Sequence, residues 1–320
     1  MKKNIGYFGA LLLIVGLLYS RSFFLQNSIP DYSVTTKAGE QATCVTTTVP
    51  AIEPGQLTDS DTLTFPPKSQ PLVLPSNTYP PFNIKDETGR WRGADIEIVE
   101  AVLGRMGYRV EWVEIPFARS LEEMKTAKFP AMAPCVVGGG REEYIFFSAP
   151  VSSIFSVLWK KKRDDFSWHT YDDLKWRVIG ASYYNYGAGF LEAGKAGQFK
   201  LDMVAANAPE IIHFRKLLQN KIDMFICELS VGLYLRTKHA PEFDEVNYAP
   251  TGVGPARPFC FAVSRKYFEG REKQMHEFVD AFNRELAIFS REGERIKIFD
   301  KYHMLIPVDD QGMIVVPGGI

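Results

Sequence analysis

The chain has 320 residues, 46% hydrophobic and 23% charged, which is ordinary for a globular protein and enough for one large or two medium domains. A formal net charge of -1 with no long basic block excludes an electrostatic footprint for nucleic acid or for an anionic membrane surface.

Lys2 and Lys3 precede an apolar run from Ile5 to Tyr19, and Ser20-Arg21 ends it. That run is shorter than the ~20 residues a spanning helix needs, so residues 1–24 read as a secretory signal or an uncleaved membrane anchor. An exported, periplasmic protein is expected either way. Residues 25–70 are rich in Ser, Thr and Pro without apolar periodicity and read as a linker, with a short strand near Thr62–Phe65. Cys44, Cys135, Cys227 and Cys260 allow three pairings in an oxidising compartment, with buried thiols as the alternative for the last three.

The folded part opens with a strand at Pro71–Pro75 and a rigid loop, Asn77 to Phe82, that displays Tyr79 and Phe82. A helix follows, with Asp95 as N-cap, Ile96, Val99, Val102, Leu103 and Met106 on one face, and Gly107 closing it. Tyr108–Ile115 alternates as a strand, Ala118–Ala127 is a second helix, and Ala131–Val137 is a strand that runs into Gly138-Gly139-Gly140-Arg141. Glycines let a backbone approach a ligand, and an adjacent guanidinium suits a carboxylate or phosphate. A flexible turn with a solvated arginine is the plainer alternative for that loop. Arg119 reads equally as a cleft residue or as part of a solvated helix start.

Ile154–Trp159 is another strand, and the basic cluster Lys160–Arg163 follows it into a second lobe. There a strand at Arg177–Ala181 enters the loop Ser182-Tyr183-Tyr184-Asn185-Tyr186-Gly187. A helix at Pro209–Asn220 precedes the strand Ile222–Cys227, which ends at Glu228. The segment Met124–Cys135 is echoed by Leu217–Glu228: each is a helix end, a lysine turn and an apolar strand. Phe259–Ser264 returns to the first lobe, and helices near Glu272–Phe289 and Glu292–Tyr302 close the fold. Strands alternating with helices predict parallel α/β sheets, whose ligands bind beyond the carboxyl ends of the strands.

The order of these motifs resembles the bacterial extracellular solute-binding proteins of the polar amino-acid type, over roughly Pro71 to Tyr302. The resemblance rests on Y-P-P-F at Tyr79–Phe82, G-A-D-I-E-I at Gly93–Ile98, R-E-E-Y-I-F-F-S at Arg141–Ser148, I-G-A-S at Ile179–Ser182, K-I-D-M-F-I-C-E at Lys221–Glu228, and the closing E-G-E-R-I-K-I-F-D-K-Y. It implies a two-lobed, periplasmic-binding-protein-like α/β fold of type II, each lobe a mostly parallel sheet flanked by helices, joined by two hinge crossings. Lobe 1 is then residues 71–153 plus 264–320, and lobe 2 is residues 154–263.

The resemblance further implies that Arg141 grips a ligand carboxylate, that Glu228 meets its amine, and that Tyr79 or Phe82 packs on it. Gly139, Ser182, Tyr184 and Asn185 complete the expected ligand-binding set. This chain departs from the family in four places: glycines precede Arg141 where a small hydroxyl residue is usual, the strand before them is one residue short, Glu228 is one methylene longer than the usual aspartate, and tyrosines crowd the second-lobe loop. The expected partner is a small carboxylate-bearing, amino-acid-like solute, with a membrane transporter or sensor beyond it. The chain is expected to be monomeric, without a cofactor or metal, since its five histidines lack metal-ligand spacing. No catalytic residue is expected. An enzyme resembling cyclohexadienyl dehydratase, with Glu228 as general acid, and a degenerate membrane-anchored interaction domain are the alternatives.

Overall fold

The computed structural model describes residues 66–184, 186–187, 189–206, 209–306 and 308–309. The N-terminal apolar run, Cys44, the strand expected near Thr62–Phe65, Asn185 and most of the linker lie outside them. No helix among the described residues is long and apolar enough to cross a membrane.

The first lobe begins with β1 (Leu72–Ser76), the short hairpin of β2 (Ile84–Lys85) and β3 (Trp91–Arg92), and helix α1 (Ala94–Arg105). The start of α1 departs from the expected capping. Its N-cap is Gly93, and Asp95 makes no capping hydrogen bond but lies wholly buried inside the helix's first turn. Gly93 is required there because φ is +113° and a Cβ would sit 2.2 Å from the Phe82 carbonyl oxygen. The Tyr302 hydroxyl caps the exposed end instead, accepting from Gly93 N at 3.0 Å and donating to Glu97 Oε1 at 2.5 Å. Burial pushes the Asp95 carboxyl up to about 7, against the opposing effects of Ser152 and Arg295.

β1 pairs in parallel with β4 (Val110–Glu114), and α2 (Phe117–Lys125) leads to β5 (Ala131–Val136). A 3-10 turn at Arg141–Glu143 then opens the long β6 (Ile145–Ile154). One residue, Phe155, separates β6 from β7 (Ser156–Lys161), which already belongs to the second sheet.

The second lobe contains β8 (Val178–Ser182), α3 (Phe190–Lys195), β9 (Lys200–Val204), α4 (Pro209–Leu218), β10 (Met224–Glu228), α5 (Leu229–Lys238) and β11 (Val246–Gly252). Its strand order is β11-β7-β10-β8-β9. Pairing is parallel where a helix intervenes, β8 with β9 and with β10, and antiparallel where β7 enters beside β10 and β11. The chain returns through β12 (Arg257–Ser264), which lies between β5 and β6, antiparallel to both. All of β12 is therefore in the first sheet. The return crossing falls between Gly252 and Arg257, ahead of the 263/264 boundary drawn from the sequence. Helices α6 (Glu272–Arg291) and α7 (Glu294–Lys301) close the first lobe, with Phe278, Phe282, Leu286 and Phe289 buried.

The sequence echo has a geometric counterpart. α2 and α4 both end in a left-handed residue, Ala127 (φ 60°) and Asn220 (φ 58°), four positions ahead of the matching strand residues Ala131 and Met224. The two turns deliver β5 and β10 in the same way.

Candidate ligand-binding site

β10 ends, and β7 and β12 begin, where the chain crosses between the lobes. Tyr79 stands just beyond β1. Its ring stacks on Phe82 with centroids 5.5 Å apart and leans on Phe259 at 6.2 Å. Phe82 is fully buried and also meets Phe259 edge-on at 5.1 Å. Phe82 thus backs Tyr79 from the core rather than lining the opening. Burial raises the Tyr79 hydroxyl, and the next largest cause is the Glu228 carboxylate across the cleft.

Glu228 is the last residue of β10 and is 7% exposed. Its Oε1 accepts from Ser156 Oγ at 2.9 Å and from Arg257 Nη2 at 2.8 Å. Ser156 opens β7 and Arg257 opens β12, so one carboxylate ties together both crossings between the lobes. Its other oxygen, Oε2, is buried with no hydrogen-bond partner among the described residues. Desolvation raises the Glu228 carboxyl, opposed by Arg257 and Ser156. Arg257 was not among the residues read from the sequence. Nothing local marks it, since it gains its place only when β12 lies beside the end of β10.

Arg141 sits after the glycine loop that leaves β5, with Gly138, Gly139 and Gly140 all at positive φ. Its Nη1 donates to the carbonyls of Val136 (3.2 Å) and Gly138 (3.0 Å), and its guanidinium lies 5.8 Å from the Phe117 ring centre. The side chain therefore rests on its own loop. Gly139 leaves room for it: a Cβ there would stand 3.5 Å from Arg141 Nη1. Arg119 pairs with Glu123 of its own helix at 2.8 Å and is largely solvated.

On the second lobe, Ser182 is buried, and its Oγ meets His213 Nε2 at 3.2 Å. The backbone N–H of Ser182 donates to the Tyr186 hydroxyl at 2.9 Å. Ser182 thus has intramolecular partners on both sides. Burial holds the His213 imidazole down at about 4. Tyr184 is 44% exposed and packs edge-on against Tyr186. Burial and then Glu210 push its hydroxyl up to about 12. Tyr79 thus lies within reach of the charges of Glu228, Glu210 and Tyr184, and Arg257 pairs with Glu228, whereas the contacts of Arg141 stay within its own lobe.

Residues 72–304 match the model of the bacterial extracellular solute-binding proteins, family 3. The chain belongs to this family. Among family members, it is 23% identical over 245 residues to an arginine-binding periplasmic protein of Mannheimia haemolytica, covering 73% of this chain and 92% of that one. It is 24% identical over 227 residues to a probable histidine-binding protein of Campylobacter jejuni, covering 71% and 82%. Its fold is that of the second substrate binding domain of a putative amino acid ABC transporter from Streptococcus pneumoniae, with a TM-score of 0.58 at 19% identity, covering 73% of this chain and 99% of that one. A solute-binding role follows from membership of the family.

Proposed function

We propose that this protein is an exported, periplasmic receptor that captures a small carboxylate-bearing, amino-acid-like solute between its lobes and presents it to a membrane transporter or sensor. The observation that carries this reading is the buried Oε2 of Glu228, which has no hydrogen-bond partner among the described residues. A buried carboxylate oxygen left without a donor is destabilising by roughly 1–3 kcal/mol, and a bound solute removes that penalty. Tyr79, near enough to feel the Glu228 charge, supplies an apolar face for the same solute. The solute's carboxylate goes to Arg141. Nη1 of that guanidinium donates to the neutral carbonyls of Val136 and Gly138, and a carboxylate is the stronger acceptor. The names of the arginine- and histidine-binding relatives support an amino-acid-like ligand.

A thermal-shift screen of amino acids, dicarboxylates and small peptides tests this. Ligand at 100 times its Kd adds about 2.7 kcal/mol to the native state, or roughly 5–10 °C in a domain of this size. Arg141→Ala is expected to abolish the shift while the unliganded melting temperature stays within a few degrees. A screen in which no carboxylate-bearing compound shifts the wild type refutes the reading.

A further inference from the structure

The Glu228 carboxylate is not an open anion. Arg257 donates to it at 2.8 Å, both side chains are largely withdrawn from water (19% and 8% exposed), and together they carry no net charge. The hydroxyl of Ser156 takes a second position on the same oxygen at 2.9 Å. What is left for a solute is one lone-pair oxygen, Oε2, on a carboxylate whose charge is already matched.

An ammonium placed against Oε2 would lose its hydration and share that carboxylate with Arg257, with only Glu210, the weakest of the charges acting on Glu228, to offset the cost. A neutral donor, a hydroxyl or an amide N–H, satisfies the same oxygen without bringing a charge into the cleft. Gly187 of the second lobe comes near this pair: a Cβ there would stand 3.9 Å from Arg257 Cδ.

We infer that Arg257 sets the charge preference of the cleft, and that the solute meets Glu228 with a neutral hydrogen-bond donor: a 2-hydroxy carboxylate in place of the 2-amino acid. This rests on the receptor reading above and narrows the class of its ligand. The carboxylate of such a solute is met by Arg141, its hydroxyl donates to Glu228 Oε2, and its side chain lies along Tyr79. Arg257 acts through Glu228 and is a specificity-determining residue.

The test is calorimetric titration of the full chain with matched pairs that differ only at the 2-position, such as phenyllactate with phenylalanine, 2-hydroxyglutarate with glutamate, and 2-hydroxyisocaproate with leucine. In the wild type, the hydroxy acid of at least one pair is expected to bind tenfold or more tightly than its amino acid. In Arg257→Gln that ratio is expected to invert, because Glu228 then lacks its cation and the ammonium supplies one. Circular dichroism of the variant shows whether it is folded, and the wild-type ratio stands as a test by itself. An amino acid binding as tightly as its hydroxy partner in every pair overturns the inference and leaves the receptor reading intact. Binding by neither series, nor by any other carboxylate in the screen above, overturns both.

Discussion

Arg257→Ala removes the cation that Glu228 was folded around. At 2.8 Å with both groups shielded from water, the gross attraction is about 6 kcal/mol for an effective dielectric near 20. Removing one partner of such a buried pair destabilises by roughly 3–5 kcal/mol, because the other charge stays behind. The loss depends on pH, and its sign follows from which state holds the proton. Without Arg257 the folded carboxyl is raised further above its unfolded value, so near pH 4.3 and below Glu228 is neutral in both states and only a hydrogen bond is missing.

The wild-type carboxyl is itself raised, so the deficit begins only where the wild-type folded group ionises and the variant's does not, and it then grows by about 1.4 kcal/mol per pH unit until the full 3–5 kcal/mol is reached. Urea unfolding of the wild type and Arg257→Ala at half-unit steps from pH 4.5 to 8.5 reads this directly. Arg257→Ala/Glu228→Gln is expected to recover most of the loss at high pH. A deficit below about 1 kcal/mol, or one that does not vary with pH, refutes the claim that the pair is buried and ionised.

Other consequences can be checked alongside it. Gly232 in α5 has no room for a side chain, a Cβ there lying 2.0 Å from Trp159 Cζ2, so Gly232→Ala is expected to destabilise by about 1–3 kcal/mol. Gly104 in α1 has nothing within 4 Å of its Cβ position, so Gly104→Ala is expected to stabilise by about 0.5–1 kcal/mol, and thermal unfolding of the two separates packing from propensity. His213 is held neutral, its imidazole depressed to about 4, so the unfolded state takes up its proton first as the pH falls. That contribution, roughly 2–3 kcal/mol, is present above pH 6.5 and is lost between pH 6.5 and 4, and an NMR titration of His213 Cε1–H with a midpoint above 6 contradicts it. In the ligand-free protein, Arg141→Ala removes two bonds to the carbonyls of Val136 and Gly138 and a distant contact with the Phe117 ring, so its unfolding free energy is expected to fall by less than about 1 kcal/mol.

Much of the scaffold was legible because local pattern and tertiary placement agree. The helix faces of α1 and α6 repeat at helical spacing, and the apolar strands β5 and β10 follow lysine turns whose shared left-handed residue explains the echo between the halves. Glu228 was readable as a carboxylate in need of a partner because it ends a buried strand. That partner was not readable: Arg257 lies 29 positions away and meets Glu228 only through the crossing strands. Asp95 had the look of a helix cap, yet it lies buried beside Ser152 and Arg295, because Gly93 has to stand at the cap where Phe82 crowds the backbone. β6 was obscured by Pro150 at its middle, and β9 and β11 by sequences that lack clear alternation. The aromatic loop displayed two rings in sequence, and only packing against Phe259 decides that Phe82 goes inward while Tyr79 stays half-buried.

The most direct test of the receptor account is native mass spectrometry of the protein purified under gentle conditions, with identification of whatever it carries. The account predicts one small molecule per chain, bearing a carboxylate, released on mild activation and absent from the Arg141→Ala/Glu228→Ala double variant. A bound molecule without a carboxylate, or one retained unchanged by the double variant, contradicts it.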